Sequence, residues 1–333
     1  MRKILIISIL LLLIANISFA DDEAGKAGQT GAFLKFGLGA RALGMGNAFC
    51  AVAEGIDAIH YNTAGAAFIK EKRVGFAYHS LSLDRNLNTA SFLSLVRNQA
   101  VMGLSWINSS VSDVPMRNSD RTLYGNMANN DNLFTLIFAK KANNDFSFGA
   151  NLKYIQSKLD NLTSGAVGLD ASGLFKFAKF YAVGLSVQDI GLEHRWDSSN
   201  YWSGNKGAVY NDPFPLRIRS GLSGSFMNNT IITAVDIVKI EHLDMKYYAG
   251  AEYWILKQVN LFGADEESED ESISTSVDRR LLGLRAGYSD GSPTFGMSLY
   301  YPYGNLHGGF DYAYMAGKVD ENSYHVFTMR VLF

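Results

Sequence analysis

Apolar and polar residues alternate one by one along most of the chain after Arg73. Residues 146–154 form the clearest run: Phe146, Phe148, Ala150, Leu152 and Tyr154 alternate with Ser147, Gly149, Asn151 and Lys153. Similar runs begin at Tyr181, Leu216 and Leu282. A period of two residues predicts β-strands with one apolar face. Runs of about 9–13 residues match the length that a tilted strand needs to cross a bilayer.

The connections between these runs are of two kinds. Two are tight, at Asn143-Asn144 and Asn228-Asn229, where asparagine tolerates the positive φ of a hairpin turn. Two are long and polar, at residues 111–130 and 190–213. We count about 14 strands, an even number as single-chain bacterial barrels require, and the long connections then fall on one side. The pattern therefore predicts an all-β chain folded as a transmembrane antiparallel β-barrel.

Composition agrees with this prediction. The mean hydropathy is −0.01, and a barrel accounts for it because lipid-facing and lumen-facing residues alternate. Aromatic residues stand near the ends of apolar runs, as a membrane interface requires: Tyr78, Trp106, Tyr154, Tyr288 and Tyr301. A secreted β-sandwich or propeller would also alternate, but the opposite face here is rich in Gly, Ser and charge, which a sandwich core does not accept.

Both ends of the chain carry features of export. Arg2 and Lys3 precede an apolar run at residues 4–14, and Ser18-Phe19-Ala20 supplies the small residues of a signal-peptidase site. We therefore expect a signal peptide at residues 1–20, a plug or hatch segment at 21–72 and the barrel at 73–333. The last strand ends in Phe333, which resembles the assembly signal of outer-membrane barrels. Outer-membrane lipid and the barrel assembly machinery are the partners this implies, in the outer membrane of a bacterial cell.

Catalytic, metal and cofactor chemistry finds little support. The six His residues are scattered without the spacing of metal ligands, and no Gly-x-Ser-x-Gly motif is present. A membrane-embedded lipase stays an alternative because Ser and His are plentiful. The net charge of −2 offers no basic field for nucleic acid, and the lone Cys50 is expected to be a small buried residue. We expect no enzyme, no metal and no cofactor.

An acidic block at residues 265–271 departs from the alternating pattern. Such a block repels itself and stays solvated, so we interpret it as a tolerated loop insertion, with a cation or partner site as the alternative. The strand count places this block on the periplasmic side, and it carries no apolar residue to bury.

Residues 28–67 differ in composition from the rest of the chain and are rich in Gly and Ala. The segment contains Gly-Ala-Phe-Leu-Lys-Phe-Gly-Leu-Gly-Ala-Arg-Ala-Leu-Gly-Met-Gly-Asn-Ala-Phe from Gly31 to Phe49, and later Tyr61-Asn62-Thr63-Ala64-Gly65. Gly37-x-Gly39-x-x-Ala42 formally fits a dinucleotide fingerprint, and Asp57 stands near the expected acidic position. That fingerprint also needs a preceding strand and a following helix in a βαβ unit, which the pattern does not show.

The same segment resembles the N-terminal part of the PorV/PorQ family, which is related to the FadL-type fatty-acid transport barrels. Thr63 and Ala66 replace the Pro and Leu of the family pattern, which makes the turn at Asn62 less fixed. The resemblance implies a hatch within a barrel of about 14 strands. We assign the hatch to these matching residues: Phe33, Gly37, Gly39, Arg41, Gly44, Gly46, Asn47, Asp57, Tyr61, Asn62 and Gly65. Arg41 is expected to pair with a carboxylate such as Glu54 or Asp57, and Asn62 to hold the chain near the first strand.

Two functions follow. By resemblance, the protein takes part in protein secretion or surface assembly of the type IX kind, with secreted cargo or secretion-system subunits as partners. Ion pairs in the lumen would support this reading because they leave no open pore. The lumen-facing charges we assign are Lys153, Asp170, Arg217, Arg219, Asp236, Arg285, Asp311 and Arg330. The alternative is a FadL-like channel for fatty acids or other hydrophobic small molecules, which requires an apolar pocket with a few polar anchors near the hatch.

Overall fold

A computed structural model describes residues 30–81, 85–96, 99–199, 207–260, 276–303, 306–317 and 323–333. The expected signal peptide and the acidic block both lie outside the described residues. None of the helices in the described ranges is long and apolar enough to cross a membrane.

Fourteen strands form a closed antiparallel barrel, which confirms the predicted fold and strand number. Each strand pairs with the next, except that β7 pairs with β10 because β8 and β9 form a separate two-stranded sheet. The strands are β1 (Arg73–Ser80), β2 (Arg85–Val96), β3 (Ala100–Arg117), β4 (Leu123–Lys141), β5 (Phe146–Leu159), β6 (Leu162–Phe177), β7 (Tyr181–Ile190), β8 (Glu193–Asp197), β9 (Val209–Pro213), β10 (Arg217–Phe226), β11 (Ile231–Ile240), β12 (Lys246–Asn260), β13 (Ser276–Ser289), β14 (Ser292–Tyr303), β15 (Leu306–Met315) and β16 (Tyr324–Leu332).

The ring closes between β1 and β16, which pair from Arg73 opposite Leu332 to Ser80 opposite His325. Two further backbone hydrogen bonds, of 2.9 and 3.1 Å, join Lys72 and Phe333 in both directions. We call the end at which β1 begins and β16 ends the base, and the opposite end the mouth. Closure leaves no strand edge unpaired around the barrel, which a bilayer requires.

The outer face carries an apolar band with a defined border toward the mouth. Trp106, Phe134 and Tyr154 stand side by side on β3, β4 and β5, and all three are exposed. One step closer to the mouth the outward positions become amides, because Asn132 pairs with Asn108 on one side and Gln156 on the other. The Trp106 indole donates to the Asn132 amide oxygen at 3.1 Å. An aromatic row followed by an amide row is the profile of a membrane–water interface.

The prediction of two long loops was wrong in detail. Residues 111–130 mostly continue β3 and β4, which turn only at residues 118–122. Apolar and polar residues no longer alternate there because both faces of the hairpin contact water beyond the apolar band. The two strands nevertheless remain hydrogen-bonded to each other. Residues 190–213 contain the hairpin of β8 and β9. The two tight turns were predicted correctly, and Asn228 and Asn229 adopt φ of 53° and 64°.

Candidate functional site

The lumen of the barrel is filled by residues 30–69, which we call the hatch. It starts near the mouth, where Gly31 packs on Phe214 and the Leu34 carbonyl accepts a hydrogen bond from Arg217 at 2.7 Å. It ends at the base, where Ile69 leads into β1. Its helices are all short: 3-10 turns at Ala32–Lys35 and Thr63–Phe68, α1 at Ala40–Gly44 and α2 at Ala58–Tyr61. The barrel encloses this irregular backbone, as a bilayer demands.

Glycines on both the hatch and the wall let the two backbones touch. Gly46 has φ of 64° and lies directly against the backbone of β13. On the wall, a Cβ added to Gly250 would lie 2.2 Å from the Met45 carbonyl oxygen, and one added to Gly287 would lie 2.2 Å from the Gly46 nitrogen. Gly44 meets Gly296 in the same way. Close approach to the wall thus explains Gly44 and Gly46 of the hatch motif.

Asn47 and Tyr61 tie distant parts of the hatch together. The Tyr61 hydroxyl donates to the Asn47 side-chain oxygen at 2.7 Å and accepts from the Leu38 amide at 3.1 Å. Asn47 also donates to Ser289 on the wall at 3.1 Å. Gly37 and Gly39 reach φ of 78° and 84° beside this cluster, and no βαβ unit surrounds them. The dinucleotide interpretation therefore has no structural support here.

Asn62 lies beside β6, so its expected place near the first strand was wrong. Its amide donates to the carbonyls of Cys50 at 2.9 Å and Gly173 at 3.0 Å, and its oxygen accepts from the Ala64 amide at 3.1 Å. These bonds hold the turn in place although Thr63 stands where the family pattern has Pro. Gly65 packs directly on the Ala53 carbonyl, where a side chain would not fit.

Arg41 belongs to a chain of alternating charges that is buried except at the end formed by Glu54 and Arg280. It binds Glu252 of β12 through two nitrogens, at 2.9 and 2.8 Å, and Glu54 of the hatch at 2.9 Å. Asp57, the other expected partner, instead pairs with Arg330 at 2.7 Å. The complete chain runs Arg280, Glu54, Arg41, Glu252, Arg285, Asp311, Arg330 and Asp57. Four cations balance four carboxylates. Glu54, Arg41 and Asp57 belong to the hatch, and the other residues of the chain belong to the wall.

Two smaller ionic groups complete the lumen. Lys153 pairs with Asp170 at 2.7 Å and Asp189 at 2.8 Å, and Asp189 also binds Arg217 at 2.6 Å. On the other side, Asp236 pairs with Arg219 at 3.1 Å and accepts the Phe49 and Cys50 amides at 3.0 and 2.9 Å. All eight charges assigned to the lumen from the sequence lie inside the barrel in these three groups.

The hatch environment alters several pKa values. Burial would raise the pKa of Glu54, but Arg280 and Arg41 hold it well below its ordinary value. Burial, with nearby Lys153, His79 and Arg217, lowers the pKa of His60 to about 3, so that this imidazole is neutral at physiological pH. Burial raises the pKa of the Cys50 thiol, which lies wholly inside the protein.

An apolar patch, one of five apolar clusters in the described residues, lies in the mouth half of the lumen. Ile107, Leu133, Ile155 and Ala166 form one inward-facing row across β3 to β6. The hatch side chains of this cluster are Phe33, Leu34 and Leu38. One step toward the base the inward row becomes Ser105, Thr135 and Lys153. Between the two rows and the hatch lies a gap of only about 20 Å³, which His60 and Arg217 also line.

Sequence reasoning missed Glu252, Asp189 and Arg280 as lumen residues. Glu252 shares the inward face of β12 with Gly250 and Trp254, and extending the alternation through this strand would have found it. Asp189 lies beside a register shift between β6 and β7, and Arg280 follows one between β12 and β13. Their inward direction therefore depends on pairing that the local pattern does not contain.

No protein-family model matches the sequence, and a search of curated proteins also finds no match. Solved structures do match. The CymD monoaromatic hydrocarbon channel is 14% identical, with a TM-score of 0.60 over 90% of this chain and 97% of that one. The Pseudomonas putida toluene transporter TodX is 13% identical, with a TM-score of 0.58 over 89% and 97%. A Pseudomonas aeruginosa FadL homologue is 10% identical, with a TM-score of 0.54 over 88% and 96%.

At these identities the likeness establishes the fold, which is that of FadL-type outer-membrane barrels. By their names, CymD is a hydrocarbon channel and TodX is a toluene transporter. The narrower resemblance to PorV/PorQ stays a prediction.

Proposed function

We propose that this protein is an outer-membrane channel that admits uncharged hydrophobic small molecules. The apolar outer band and the fold of the hydrocarbon channels support the location and the class of activity. The observation that carries the proposal is the apolar patch of Ile107, Leu133 and Ile155 against the hatch. The row packs against Phe33, Leu34 and Leu38 of the hatch, and a hydrophobic ligand that takes the place of these side chains needs an apolar surface of this kind.

The charges next to this patch favour an uncharged ligand. Lys153 and Arg217 are already neutralised by Asp170 and Asp189. His60 is neutral because burial lowers its pKa to about 3. A carboxylate entering here would have to displace a buried aspartate, and this would leave a charge without a partner. We therefore place neutral hydrocarbons ahead of fatty-acid anions as substrates.

The ligand must take the place of hatch side chains. The remaining gap of about 20 Å³ is about the size of one water molecule. Leu34 and Leu38 line it, and both belong to a segment with only a short 3-10 turn. The side chains of Leu34 and Leu38 make only apolar contacts here. An apolar ligand can therefore replace these contacts without leaving polar groups unsatisfied.

A matched pair of variants in one strand tests the proposal. Leu133 and Ile137 both face inward on β4 and are fully buried, but Leu133 lines the patch and Ile137 packs near the base. We expect cells that produce the wild-type chain to take up toluene faster than cells without it. Leu133→Gln should remove this gain and Ile137→Gln should keep most of it. Equal loss in both, or uptake of laurate without uptake of toluene, would refute the proposal.

Protein secretion, the other function predicted from the sequence, has less support. Most of the motif residues that suggested it are buried within the hatch or between hatch and wall, where packing accounts for them. Within the described residues the hatch fills the lumen and leaves no passage for a polypeptide. Two of the solved structures with this fold are, by their names, a monoaromatic hydrocarbon channel and a toluene transporter.

A further inference from the structure

A cavity of about 550 Å³ opens at the base, between the underside of the hatch and the wall. We call it the base vestibule. Its lining contains six cationic side chains, namely Lys70, Arg73, Lys141, Lys176, Lys179 and Arg280, and one carboxylate, that of Glu54. It lies on the opposite side of the hatch from the apolar patch.

The single carboxylate does not neutralise these cations. Glu54 is bound by Arg280 at 2.6 Å and by Arg41 at 2.9 Å. In the described part of the chain, no carboxylate forms an ion pair with Lys70, Lys141, Lys176 or Lys179. This contrasts with the lumen above, where every cationic group named in the three ionic networks has a carboxylate within ion-pair distance.

Two of the lysines are held close together by an aromatic ring. The ammonium of Lys176 lies 3.4 Å from the centre of the Phe68 ring, and that of Lys141 lies 4.9 Å from the same centre. Phe68 ends the last helical turn of the hatch, and both lysines come from wall strands. Two like charges gathered on one ring repel each other, and the repulsion is larger in a partly enclosed site than in open water. A bound anion would relieve it.

The rest of the vestibule is apolar or carries hydroxyl groups. Phe180, Leu174 and Ile232 supply apolar surface, and Ser223 and Ser225 of β10 supply hydroxyl groups. A ligand that is complementary to both the cationic and the apolar parts of the lining has an anionic head and an apolar body. Phosphate suits the head because it is negatively charged and accepts hydrogen bonds from several donors at once.

We infer that the base vestibule is a binding site for a phosphate group carried on an apolar body, with the head between Lys141, Lys176 and Lys70 and the body on Phe68 and Phe180. The site is separate from the hydrocarbon site in the mouth half of the lumen. Both a soluble alkyl phosphate and a phospholipid of the surrounding bilayer have this chemistry.

Binding of octyl phosphate to the full-length protein in neutral detergent tests the site. Octanol and inorganic phosphate are the comparison probes. We expect octyl phosphate to bind at least tenfold more tightly than octanol, and increasing salt to weaken it. Lys141→Gln/Lys176→Gln should weaken binding at least tenfold. Arg117→Gln/Lys158→Gln, which removes two exposed cations near the mouth, should leave it unchanged.

Equal affinity for octanol and octyl phosphate, or equal loss in both double variants, would overturn the inference. Heat-modifiable migration on gels shows whether each variant is folded.

A second experiment identifies the source of the ligand. If phosphatidylglycerol from mixed vesicles stays with the wild-type protein in native mass spectrometry and is lost from the Lys141/Lys176 variant, the site takes a bilayer lipid. Binding of octyl phosphate without retained lipid assigns it to a soluble ligand.

Discussion

Arg41 of the hatch and Glu252 of β12 form a two-point ion pair, with Nε–Oε1 at 2.9 Å and Nη2–Oε2 at 2.8 Å. Both side chains are almost completely inaccessible. The guanidinium also stacks against the rings of Phe49 and Trp254, with its carbon 5.5 and 5.6 Å from their centres. A hatch segment is thereby fixed to a wall strand 211 residues further along the chain.

Arg41→Ala should loosen the hatch and leave the barrel closed. Glu252 keeps Arg285 at 2.6 Å, so the loss should be about 3 kcal/mol, near the lower end for breaking a buried pair. We expect normal heat-modifiability and a higher ion conductance in planar bilayers. Arg117→Ala, at an exposed hairpin position, is the control. If deleting residues 30–69 left conductance unchanged in an intact barrel, the hatch would not be the barrier.

Gly250→Ala tests the contact between hatch and wall. Its new Cβ would lie 2.2 Å from the Met45 carbonyl oxygen, whereas one at Gly165 would meet nothing closer than 3.4 Å. Overpacking of this kind costs about 1–3 kcal/mol. The Gly250 variant should therefore unfold at a lower urea concentration than the Gly165→Ala variant, and trypsin should cut its hatch faster. Identical midpoints for the two variants would contradict the close contact.

Asp236→Ala should expose Cys50. The Asp236 carboxylate accepts the Phe49 and Cys50 amides, and each buried group left unsatisfied costs about 1–3 kcal/mol. Burial raises the pKa of the Cys50 thiol, so it should resist maleimide in the wild-type protein. We expect labelling to become about tenfold faster or more in the variant, since 1.4 kcal/mol is a factor of ten. Asp131→Ala near the mouth is the control, and fast labelling of the wild type would refute the burial.

The direction of insertion can be tested with protease sites. The turn at residues 118–122 lies at the mouth, while β12 ends and β13 begins at the base. We expect a protease added to intact cells to cut a site inserted at residue 120 but not one placed in residues 265–271. The reverse result would show that the orientation is inverted.

Removal of residues 265–271 should leave the yield of folded barrel unchanged.

The alternating pattern was sufficient to predict fourteen strands and the direction of most side chains. Lys153, Arg285 and Arg330 were assigned to the lumen because the two faces of a strand alternate in the sequence itself. The glycines and Arg41 of the hatch were recognisable for a similar reason, because a local motif contains them. Alternation stopped being informative at residues 111–130, where both faces of the hairpin meet water.

Only the tertiary structure decided which charges meet. Alternation shows whether a side chain points into the lumen or outward. It does not show how far along the barrel axis the residue lies, because that position depends on strand register and tilt. Arg41 could therefore be expected to find a carboxylate, but its pairing with Glu252, and that of Asp57 with Arg330, depended on the path of the hatch through the lumen. The same holds for the apolar row of Ile107, Leu133 and Ile155, which exists only once three separate strands are in register.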